Sequence, residues 1–578
     1  MSEAVEAVII GSGFGGAITA CRLARKWPGK VVVLERGKRY PMGSFPRAPH
    51  DLARNFWCLT EDKTRRPPHV SRLVRTTRQH QLGMIDARNY DHMDVVLAAG
   101  LGGGSLIYAN VFLIPPDEVF DSRWPGTCKK SDLVPYYQVA KDVLGSRPIP
   151  PDNDPRRRII RTHLFEEVAK RTGRNSSRLD INVFFGNDFQ NPLPIGQQDV
   201  NRYGALQTSC VYCAECIIGC NYHSKNTLDL NYLYMAENVH QADIRTKCLA
   251  VKIVPVNARA DEDPSADGEH GYRVYYKDLR ASGSVDAILT KRVVVSAGTL
   301  GSTELLLRAK LRDKTLPRIS DRLGHSFSGN GDFLEFVLGS AEPDPNYGPT
   351  ITQRIDHNLF QDFQRNHAFV IEDASYPALL AWFVEGFKPR AFWLPAVWRF
   401  LRDLWARVTT GKSLGRIGYA LEDILSDDIS FNTCVLLCMG LDKSNGVMRL
   451  DENANLAVEW PYQDSLLLYT AILEAGKQFR DAVRGEIFMP LANWDWPIRN
   501  NITVHPLGGC VLGDDPTRGV TSSDRSSFGQ VFGYKGLYVA DGAIVPTAVG
   551  ANPTATISAL SEMVGESITG IKPDAKLV

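Results

Sequence analysis

Four cysteines stand within an eleven-residue stretch: Cys210, Cys213, Cys216 and Cys220. Their spacing is C-x2-C-x2-C-x3-C, the run with which bacterial ferredoxins hold iron–sulfur clusters. Zinc sites more often use two cysteine pairs separated by a longer loop, so the spacing favours an iron–sulfur cluster. However, Asn221 stands where ferredoxins have a proline, and the sequence has no second array for a partner cluster. Zinc, redox-active disulfides and plain structural thiols therefore stay open as alternatives.

A glycine turn near the N-terminus has the spacing of a dinucleotide-binding site. Residues 5–10 predict a buried strand, and helical spacing from Phe14 to about Lys26 follows the turn. A second strand over 30–34 ends in Glu35, whose carboxylate would accept hydrogen bonds from ribose hydroxyls. The turn would place a diphosphate at the positive end of the helix. Its glycines are Gly11, Gly13, Gly15 and Gly16.

Further glycine-rich motifs are spread over the rest of the chain. Gly100–Ser105 is dense in glycine, which suits backbone that lies against a flat ring or a phosphate. Residues 292–307 predict a strand, a small turn and a helix. Three late motifs follow: His505-Pro-Leu-Gly-Gly-Cys510, Gly536-Leu-Tyr-Val-Ala-Asp541-Gly542 and Gly550-Ala-Asn552-Pro-Thr554.

In this order, the motifs resemble those of the glucose–methanol–choline (GMC) oxidoreductases, flavoproteins that oxidise alcohols, and within them the cholesterol oxidase-like subgroup. The resemblance implies an α/β fold with two domains. One is a Rossmann-like FAD-binding domain built from discontinuous segments, and the other is an α+β substrate domain with an antiparallel sheet and helices. The FAD domain is predicted over 1–39, 81–115, 201–334 and 496–578, and the substrate domain over 40–80, 116–200 and 335–495.

The resemblance also assigns residues to the FAD site. The first turn places Phe14 and Gly15 beside the diphosphate, and the backbone of Val251 would face the adenine. Tyr108 stands where cholesterol oxidases have an asparagine next to the ring, and Thr554 where they have an aromatic residue. The other positions carried over are Glu35, Gly104, Ser105, Asn110, Asp541 and Gly542.

Two late residues stand at the family's catalytic positions, His505 and Asn552. Oxidation of an alcohol requires a group that takes the hydroxyl proton, and histidine suits this role because it exchanges protons near neutral pH. An asparagine amide can orient the substrate oxygen without a change in charge. We therefore assign the proton to His505 and orientation to Asn552.

Glu372 is a third catalytic candidate. In cholesterol oxidases, a glutamate five residues before a proline in an apolar strand moves the steroid double bond, and Glu372 has that spacing from Pro377. Burial would raise the pKa of its carboxyl group, as a general base requires. Asp373 is an adjacent competitor, and a carboxylate that points from the strand edge into water is the alternative.

The segment Trp382–Trp405 contains four Trp and four Phe residues among Arg and Lys residues. This pattern is typical of a helix at a membrane surface, and equally of a lid over a bulky apolar substrate. A helical hairpin packed on the sheet is the third interpretation.

Overall composition excludes several function classes. The 66 basic and 65 acidic side chains give a net charge of +1, so we expect no nucleic-acid partner. No apolar stretch is long enough to span a membrane, and no leader is evident, so a cytoplasmic location is expected, with peripheral contact at the inner membrane face as a further option.

We expect an FAD enzyme that oxidises a bulky apolar alcohol, with a 3-hydroxysteroid as first candidate and oxygen or an external acceptor as oxidant. An alternative is an FAD/iron–sulfur dehydrogenase of an alcohol or sugar that passes electrons through the four cysteines. A flavin–iron electron carrier without alcohol turnover is the second alternative.

Overall fold

The computed structural model describes residues 5–47, 55–58, 81–151, 153–280, 284–340, 343–381, 402, 428–491, 494 and 499–577. The aromatic segment Trp382–Trp405 lies outside the described residues apart from Arg402, so the lid and membrane-surface interpretations of it stay predictions. Among the described helices, none has the length and apolar character that crossing a bilayer requires.

A seven-stranded sheet is built around the N-terminal strand. Its central strands are parallel, and the long strand Val285–Val295 pairs with Val5–Ile10 on one side and Leu537–Val539 on the other. Two antiparallel strands extend one edge. The strand order is Asp243–Thr246, Val31–Glu35, Val5–Ile10, Val285–Val295, Tyr272–Asp278 and Cys248–Pro255, with Leu537–Val539 beside Val285–Val295. Buried Val, Ile, Leu and Ala residues fill the core of this sheet.

A separate six-stranded sheet is wholly antiparallel. Its strand order is Ile487–Pro490, Phe333–Leu338, Cys434–Gly440, Phe369–Ala374, Gln353–His357 and Ser176–Arg178. The helix Leu466–Ala482 packs on one face, where Phe479 and Ile472 are buried. The opposite face carries a second apolar cluster.

Helices and smaller sheets surround these two sheets. The remaining α-helices are Phe14–Lys26, Lys130–Val143, Ile160–Arg171, Tyr232–Asn238, Gly298–Leu307, Asp428–Phe431 and Thr554–Thr569. Two three-stranded sheets comprise His325–Phe327, Gly446–Leu450 and Leu456–Glu459, and Ile85–Tyr90, Met93–Ala98 and Asn501–Thr503. Two-stranded pairs are Trp57–Cys58 with Gln81–Leu82, Gln198–Val200 with Leu206–Thr208, and Leu512–Gly513 with Thr521–Ser522.

The predicted fold class is confirmed: an α/β part with a parallel sheet accompanies an antiparallel sheet with helices. The first strand and helix have the predicted bounds, and the second strand is shifted by one residue to Val31–Glu35. The domain boundaries stay a prediction.

Glu335 is a buried acid on the helix-covered face of the antiparallel sheet. Its side chain is 0% exposed, and a Cβ on Gly476 of the packed helix would lie 2.3 Å from its Oε2. The Sγ of Cys438 is 3.9 Å from the same oxygen. Burial raises the pKa of Glu335 well above its usual range.

We expect Glu335→Gln to stabilise the protein at high pH. Because the folded-state pKa lies above the unfolded value, folding loses stability as pH rises through the folded-state pKa. The gain should be on the order of 1 kcal/mol at pH 9 and shrink toward zero near pH 4, measured by urea unfolding. The matched control is Glu452→Gln, at an exposed position. An equal effect of Glu335→Gln at both pH values would contradict the prediction.

Candidate functional site

The glycine turn lies where three strands of the parallel sheet end. Gly11 has a positive φ of 98°, and a Cβ there would lie 2.2 Å from the Ser296 carbonyl oxygen. A Cβ on Gly15 would lie 1.2 Å from the Ala540 carbonyl oxygen. Gly16 packs equally closely on Gly11. Side chains at these positions would push the helix away from the sheet, so the glycines are required by packing as well as by any ligand.

Ser12 joins this turn to two other predicted binding segments. Its hydroxyl donates to the carboxylate of Glu35 at 2.5 Å and accepts from the Gly102 amide at 3.1 Å. Glu35 is buried at the end of its strand, and its other oxygen accepts from the Gly37 amide at 2.7 Å. The two glycine loops and the acidic residue therefore form one unit.

The second glycine loop forms a short 3₁₀ helix, Gly103–Leu106. A Cβ on Gly103 would lie 2.6 Å from the Cα of Gly13, whereas a Cβ on Gly104 would meet only open space. Ser105 is buried and donates to the Gly102 carbonyl oxygen at 2.7 Å. Gly104 is thus the position at which this loop leaves space next to its backbone.

Tyr108 and Asn110 follow this loop. The Tyr108 ring meets the edge of Phe14 with centroids 5.6 Å apart, and its hydroxyl donates to the Asn226 carbonyl oxygen at 2.9 Å. Asn110 is 0% exposed with a φ of 72°, and both polar atoms of its amide lack a hydrogen-bond partner among the residues that the structure describes. An unpaired buried amide is costly unless a ligand satisfies it.

Later segments complete the predicted cradle. The buried Asp541 carboxylate accepts from the amides of Gly298 at 2.9 Å and Ala543 at 2.8 Å, and burial raises its pKa to about 6. Thr554 begins the helix Thr554–Thr569. Val251 lies at a β-bulge, where the ladder skips from Ala250 to Lys252, so its backbone is not paired with the neighbouring strand.

Gly542 lies between Asp541 and the His505 segment. Its carbonyl oxygen accepts from the Gly508 amide at 3.0 Å, and a Cβ there would lie 2.8 Å from the Thr299 hydroxyl. The dipeptide predicted to bind FAD is therefore packed directly against the loop that carries His505, the predicted catalytic histidine.

These residues fit FAD. Gly13 is the N-cap of Phe14–Lys26 and has no side chain to occupy the amides of the first helical turn, which can hold a diphosphate. Glu35 supplies the carboxylate for a ribose. The open space at Gly104 and the unpaired amide of Asn110 lie on the adjacent loop, as a flat ring requires.

His505 is held by a carboxylate. Its Nδ1 lies 2.9 Å from Oδ1 and 3.0 Å from Oδ2 of Asp332, which is 2% exposed. Asp332 also accepts from the Thr503 hydroxyl at 2.8 Å and the Val504 amide at 3.0 Å. With Nδ1 bonded to a carboxylate, the neutral ring carries its proton there and leaves Nε2 as the acceptor.

The turn that carries Asp332 also holds the segment before Asn552. Asn330 donates to the Ala551 carbonyl oxygen at 2.9 Å and accepts from the amides of Val549 and Gly550. The buried Asp442 carboxylate fixes the turn by accepting from the Gly329 and Gly331 amides. One turn therefore positions both late catalytic candidates.

Glu372 points into this site rather than into water. It is 0% exposed, and the Asn552 amide donates to its Oε2 at 3.2 Å. Burial raises the pKa of Glu372 to about 8. The neighbouring Asp373 instead accepts from the Thr352 and Gln353 amides and lies 3.2 Å from Nε of Arg161, so it serves the opposite face.

Apart from Arg354, which lies opposite Glu372 on the next strand, the sheet face that carries Glu372 is apolar. Strand register places Leu437 directly opposite Glu372, with Leu334 beyond it. By alternation, Phe336, Val435 and Met489 share this face. All five apolar residues belong to the second hydrophobic cluster or pack against it, and Leu334, Leu437 and Met489 are partly accessible.

The four cysteines of the array also meet in space. All four line one small cavity, together with Val183, Val211, Ala214, Glu215, Tyr222, Ser224, Lys225 and Gly348. Each is a free thiol, and burial raises the pKa of Cys213 to about 12. Within the described part of the chain, no three Cys, His, Asp or Glu side chains converge closely enough to hold a single metal ion.

Sequence reasoning missed several residues that build the site. Asp332 and Asn330 lie in Gly329-Asn-Gly-Asp332, a turn-forming stretch that could have drawn attention. Arg354 lies opposite Glu372 on the next strand and balances its charge. Ser12 lies inside the recognised turn. None of these residues has a local signal for the contacts it makes.

Comparisons with known proteins agree on one family. Family models described as GMC oxidoreductase match residues 198–327 and 443–561. A cholesterol oxidase from Acinetobacter baumannii is 28% identical over 96% of this chain and 92% of its own length. A long-chain-alcohol oxidase from Arabidopsis thaliana is 22% identical over 97% of this chain and 67% of its own. The solved structure of a fungal aryl-alcohol oxidase shares the fold, with 14% identity, 99% coverage of both chains and a TM-score of 0.59.

We expect Gly104→Ala to weaken FAD binding by about ten-fold or more, because its methyl group would enter the space next to the loop. The stability of the cofactor-free protein should be unchanged, since among the described residues no atom beyond the two chain neighbours lies within 4 Å of that methyl group. Titration of the apoprotein with FAD measures the affinity.

The matched control is Gly126→Ala, which also meets open space but lies on an exposed loop. Equal FAD affinity in the two variants would contradict the assignment of Gly104 to the cofactor site.

Proposed function

The chain belongs to the GMC oxidoreductase family and is an FAD-dependent oxidoreductase of alcohols; from this premise we propose that its substrate is a bulky apolar alcohol of the 3-hydroxysteroid class. The observation that carries the proposal is the buried Glu372, hydrogen-bonded to Asn552 and set in an apolar sheet face. FAD, when bound, accepts a hydride from the carbon that bears the hydroxyl group.

His505 takes the hydroxyl proton. Its Nδ1 is fixed by Asp332, so Nε2 is the ring atom that can accept a proton from the substrate. Its side chain is 16% exposed, whereas that of Asp332 is 3% exposed. The imidazole is therefore accessible from the site while its orientation is set from the buried side.

Asn552 and Glu372 orient the substrate and continue the reaction. Asn552 donates through its Nδ2 to Glu372 Oε2. Asn552 Oδ1 and Glu372 Oε1 are both buried and have no hydrogen-bond partner within the described part of the chain. We assign to Glu372 the transfer of a proton from the carbon next to the new carbonyl group to the far end of a nearby double bond. A carboxyl group with a pKa of about 8 is a competent base for this step.

The apolar face next to Glu372 supports a ring system or long chain over a sugar. A sugar needs several hydrogen-bonding side chains, whereas Leu334, Leu437 and Met489 offer none. Two relatives carry the names cholesterol oxidase and long-chain-alcohol oxidase, and both names denote apolar substrates. A cytoplasmic location and membrane-surface contact through Trp382–Trp405 stay predictions.

The test of the substrate is anaerobic bleaching of the FAD-loaded protein by a panel of 3-hydroxysteroids, long-chain alcohols and sugars. We expect bleaching by 3-hydroxysteroids at the lowest concentration. Bleaching by sugars alone would contradict the proposal. If His505→Ala retains FAD but is no longer bleached by alcohols, the electron-carrier alternative is excluded; if no alcohol bleaches even the unmodified protein, that alternative is supported.

We expect Asp332→Asn to lower kcat about 10- to 100-fold with little change in KM, because the amide no longer fixes the proton on Nδ1 of His505. The pH profile of kcat should change shape in this variant. Steady-state kinetics at equal FAD content provide the measurement.

The control for this variant is Asp464→Asn, at an exposed position bonded to Asn445. A loss of FAD in proportion to the loss of activity would indicate a structural role for Asp332 and contradict the assignment.

We expect Glu372→Gln to oxidise a 3-hydroxy-5-ene steroid but to leave its double bond unconjugated. In the unmodified enzyme, the base must be ionised, so the rate of conjugation should fall as pH drops below about 8. Ultraviolet absorbance of the conjugated ketone, relative to total ketone, measures this ratio.

Asp373→Asn is the matched control, because Asp373 serves the opposite face of the sheet. A conjugated product from Glu372→Gln at the normal ratio would show that another base performs the step.

A further inference from the structure

We propose that Cys210, Cys213, Cys216 and Cys220 hold an iron–sulfur cluster that carries electrons from the flavin site to an external one-electron acceptor. The electron relay rests on the proposed function, because alcohol oxidation supplies the electrons. The presence of the cluster is argued from separate observations. These observations are the shape of the cysteine loop, the buried charge beside it and its position.

The cysteine loop wraps around the cavity that the four thiols line. Tyr212 and Ala214 lie in the left-handed region, with φ of 60° and 56°, which non-glycine residues seldom adopt. Gly348 holds this stretch from a distant segment, since its amide donates to Tyr212 and its carbonyl oxygen accepts from Ala214, both at 2.9 Å. The bent backbone thus brings all four cysteines to the lining of one cavity.

Arg47 braces the same loop from the other side. Its guanidinium donates to the Glu215 carboxylate at 2.7 Å and to the carbonyl oxygens of Ile218 and Gly219. A Cβ on Gly219 would lie 2.1 Å from the Phe45 ring, so the loop is packed closely there. These contacts fix the backbone of the loop that carries the four cysteines.

A buried cation lies next to the four thiols. Lys225 is 1% exposed and lines the cavity, and its Nζ donates to the carbonyl oxygens of Cys216 at 2.7 Å, Leu106 at 2.8 Å and Tyr108 at 3.2 Å. A buried ammonium group is costly unless an anion balances it. Two acids lie nearby: burial raises the pKa of the Asp229 carboxyl group and so favours its neutral form, and Glu215 is paired with Arg47. A cluster with four thiolate ligands carries net negative charge and supplies the balance, whereas four neutral thiols do not.

The cavity lies one side chain away from the predicted flavin site. Nζ of Lys225 lies 5.1 Å from the centroid of the Tyr108 ring, and this ring in turn contacts Phe14 of the glycine turn. The same lysine bonds to the carbonyl oxygen of Leu106 in the second glycine loop. Electrons that enter at the flavin therefore have a short path to the cysteines.

The balance of the reaction is simple. The alcohol loses two electrons with its hydride and one proton to His505, and becomes a ketone. The two electrons leave one at a time through the cluster to two equivalents of a one-electron acceptor, such as ferricyanide in the assay or a redox protein. The protons go to solvent, and the cluster returns to its oxidised form.

The decisive measurement is iron and acid-labile sulfide in the full-length protein purified without oxygen. We expect about four of each per chain, as a [4Fe–4S] cluster requires, with an electron paramagnetic resonance signal after reduction. Zinc bound to the cysteines would overturn the proposal. The absence of metal after anaerobic reconstitution with iron and sulfide would overturn it as well.

Variants test the role of the cluster. Cys216→Ser should lose iron, and its turnover with ferricyanide should fall at least ten-fold relative to that of Cys248→Ser, whose buried thiol lies on a strand away from the array. Full ferricyanide turnover by an iron-free Cys216→Ser protein would exclude the relay. Lys225→Met should lower the reduction potential of the cluster, because it removes a positive charge that stabilises the reduced form.

The steps can fail separately. If iron and sulfide are present but no alcohol bleaches the flavin, the cluster proposal is supported and the proposed function is wrong. If alcohols bleach the flavin in a protein without iron, the proposed function is supported and the cluster proposal is wrong.

Discussion

The hydrogen bonds around the buried carboxylate of Asp332 connect the parts of the proposed active site. Asp332 binds the ring of His505 and the backbone that leads to it, while Asn330, two residues earlier, binds the backbone before Asn552. Both lie in a turn at the start of a strand of the antiparallel sheet, which itself carries the site's apolar face. Since Asp442 fixes the turn through two amides, a displacement of this loop would move the imidazole and the carboxamide together.

The cofactor side depends on close backbone approach rather than on side-chain contacts. Carbonyl oxygens of Ser296 and Ala540 lie against Gly11 and Gly15, and the two glycine loops touch at Gly13 and Gly103. This packing brings the ends of three strands and the start of a helix to one place, where amides can surround a diphosphate. The same packing sets Asp541 and Gly542 against the loop of His505, so the segment predicted to bind FAD and the predicted catalytic segment are in direct contact.

Glu372 and Asp373 are neighbours on the strand Phe369–Ala374, yet their carboxyl groups lie on opposite faces of the sheet and have different surroundings. Asp373 faces the buried layer and is satisfied by two amides, a hydroxyl and an arginine. Glu372 lies opposite Arg354 and accepts a hydrogen bond from the Asn552 amide, and burial is the dominant influence on its pKa. The alternation of side chains along a strand therefore gives neighbouring acids different environments.

Local sequence by itself determined the strand Val5–Ile10, the glycine turn and the helix Phe14–Lys26, because these depend on short-range periodicity and on the backbone freedom of glycine. Only the tertiary structure decided that Glu372 is buried against Asn552, 180 positions away, and that Asp332 meets His505, 173 positions away. Likewise, nothing in the local sequence indicates that Lys225 is buried, and only the folded structure places it in the interior. Burial and partner choice arise from contacts between distant segments, which no local pattern encodes.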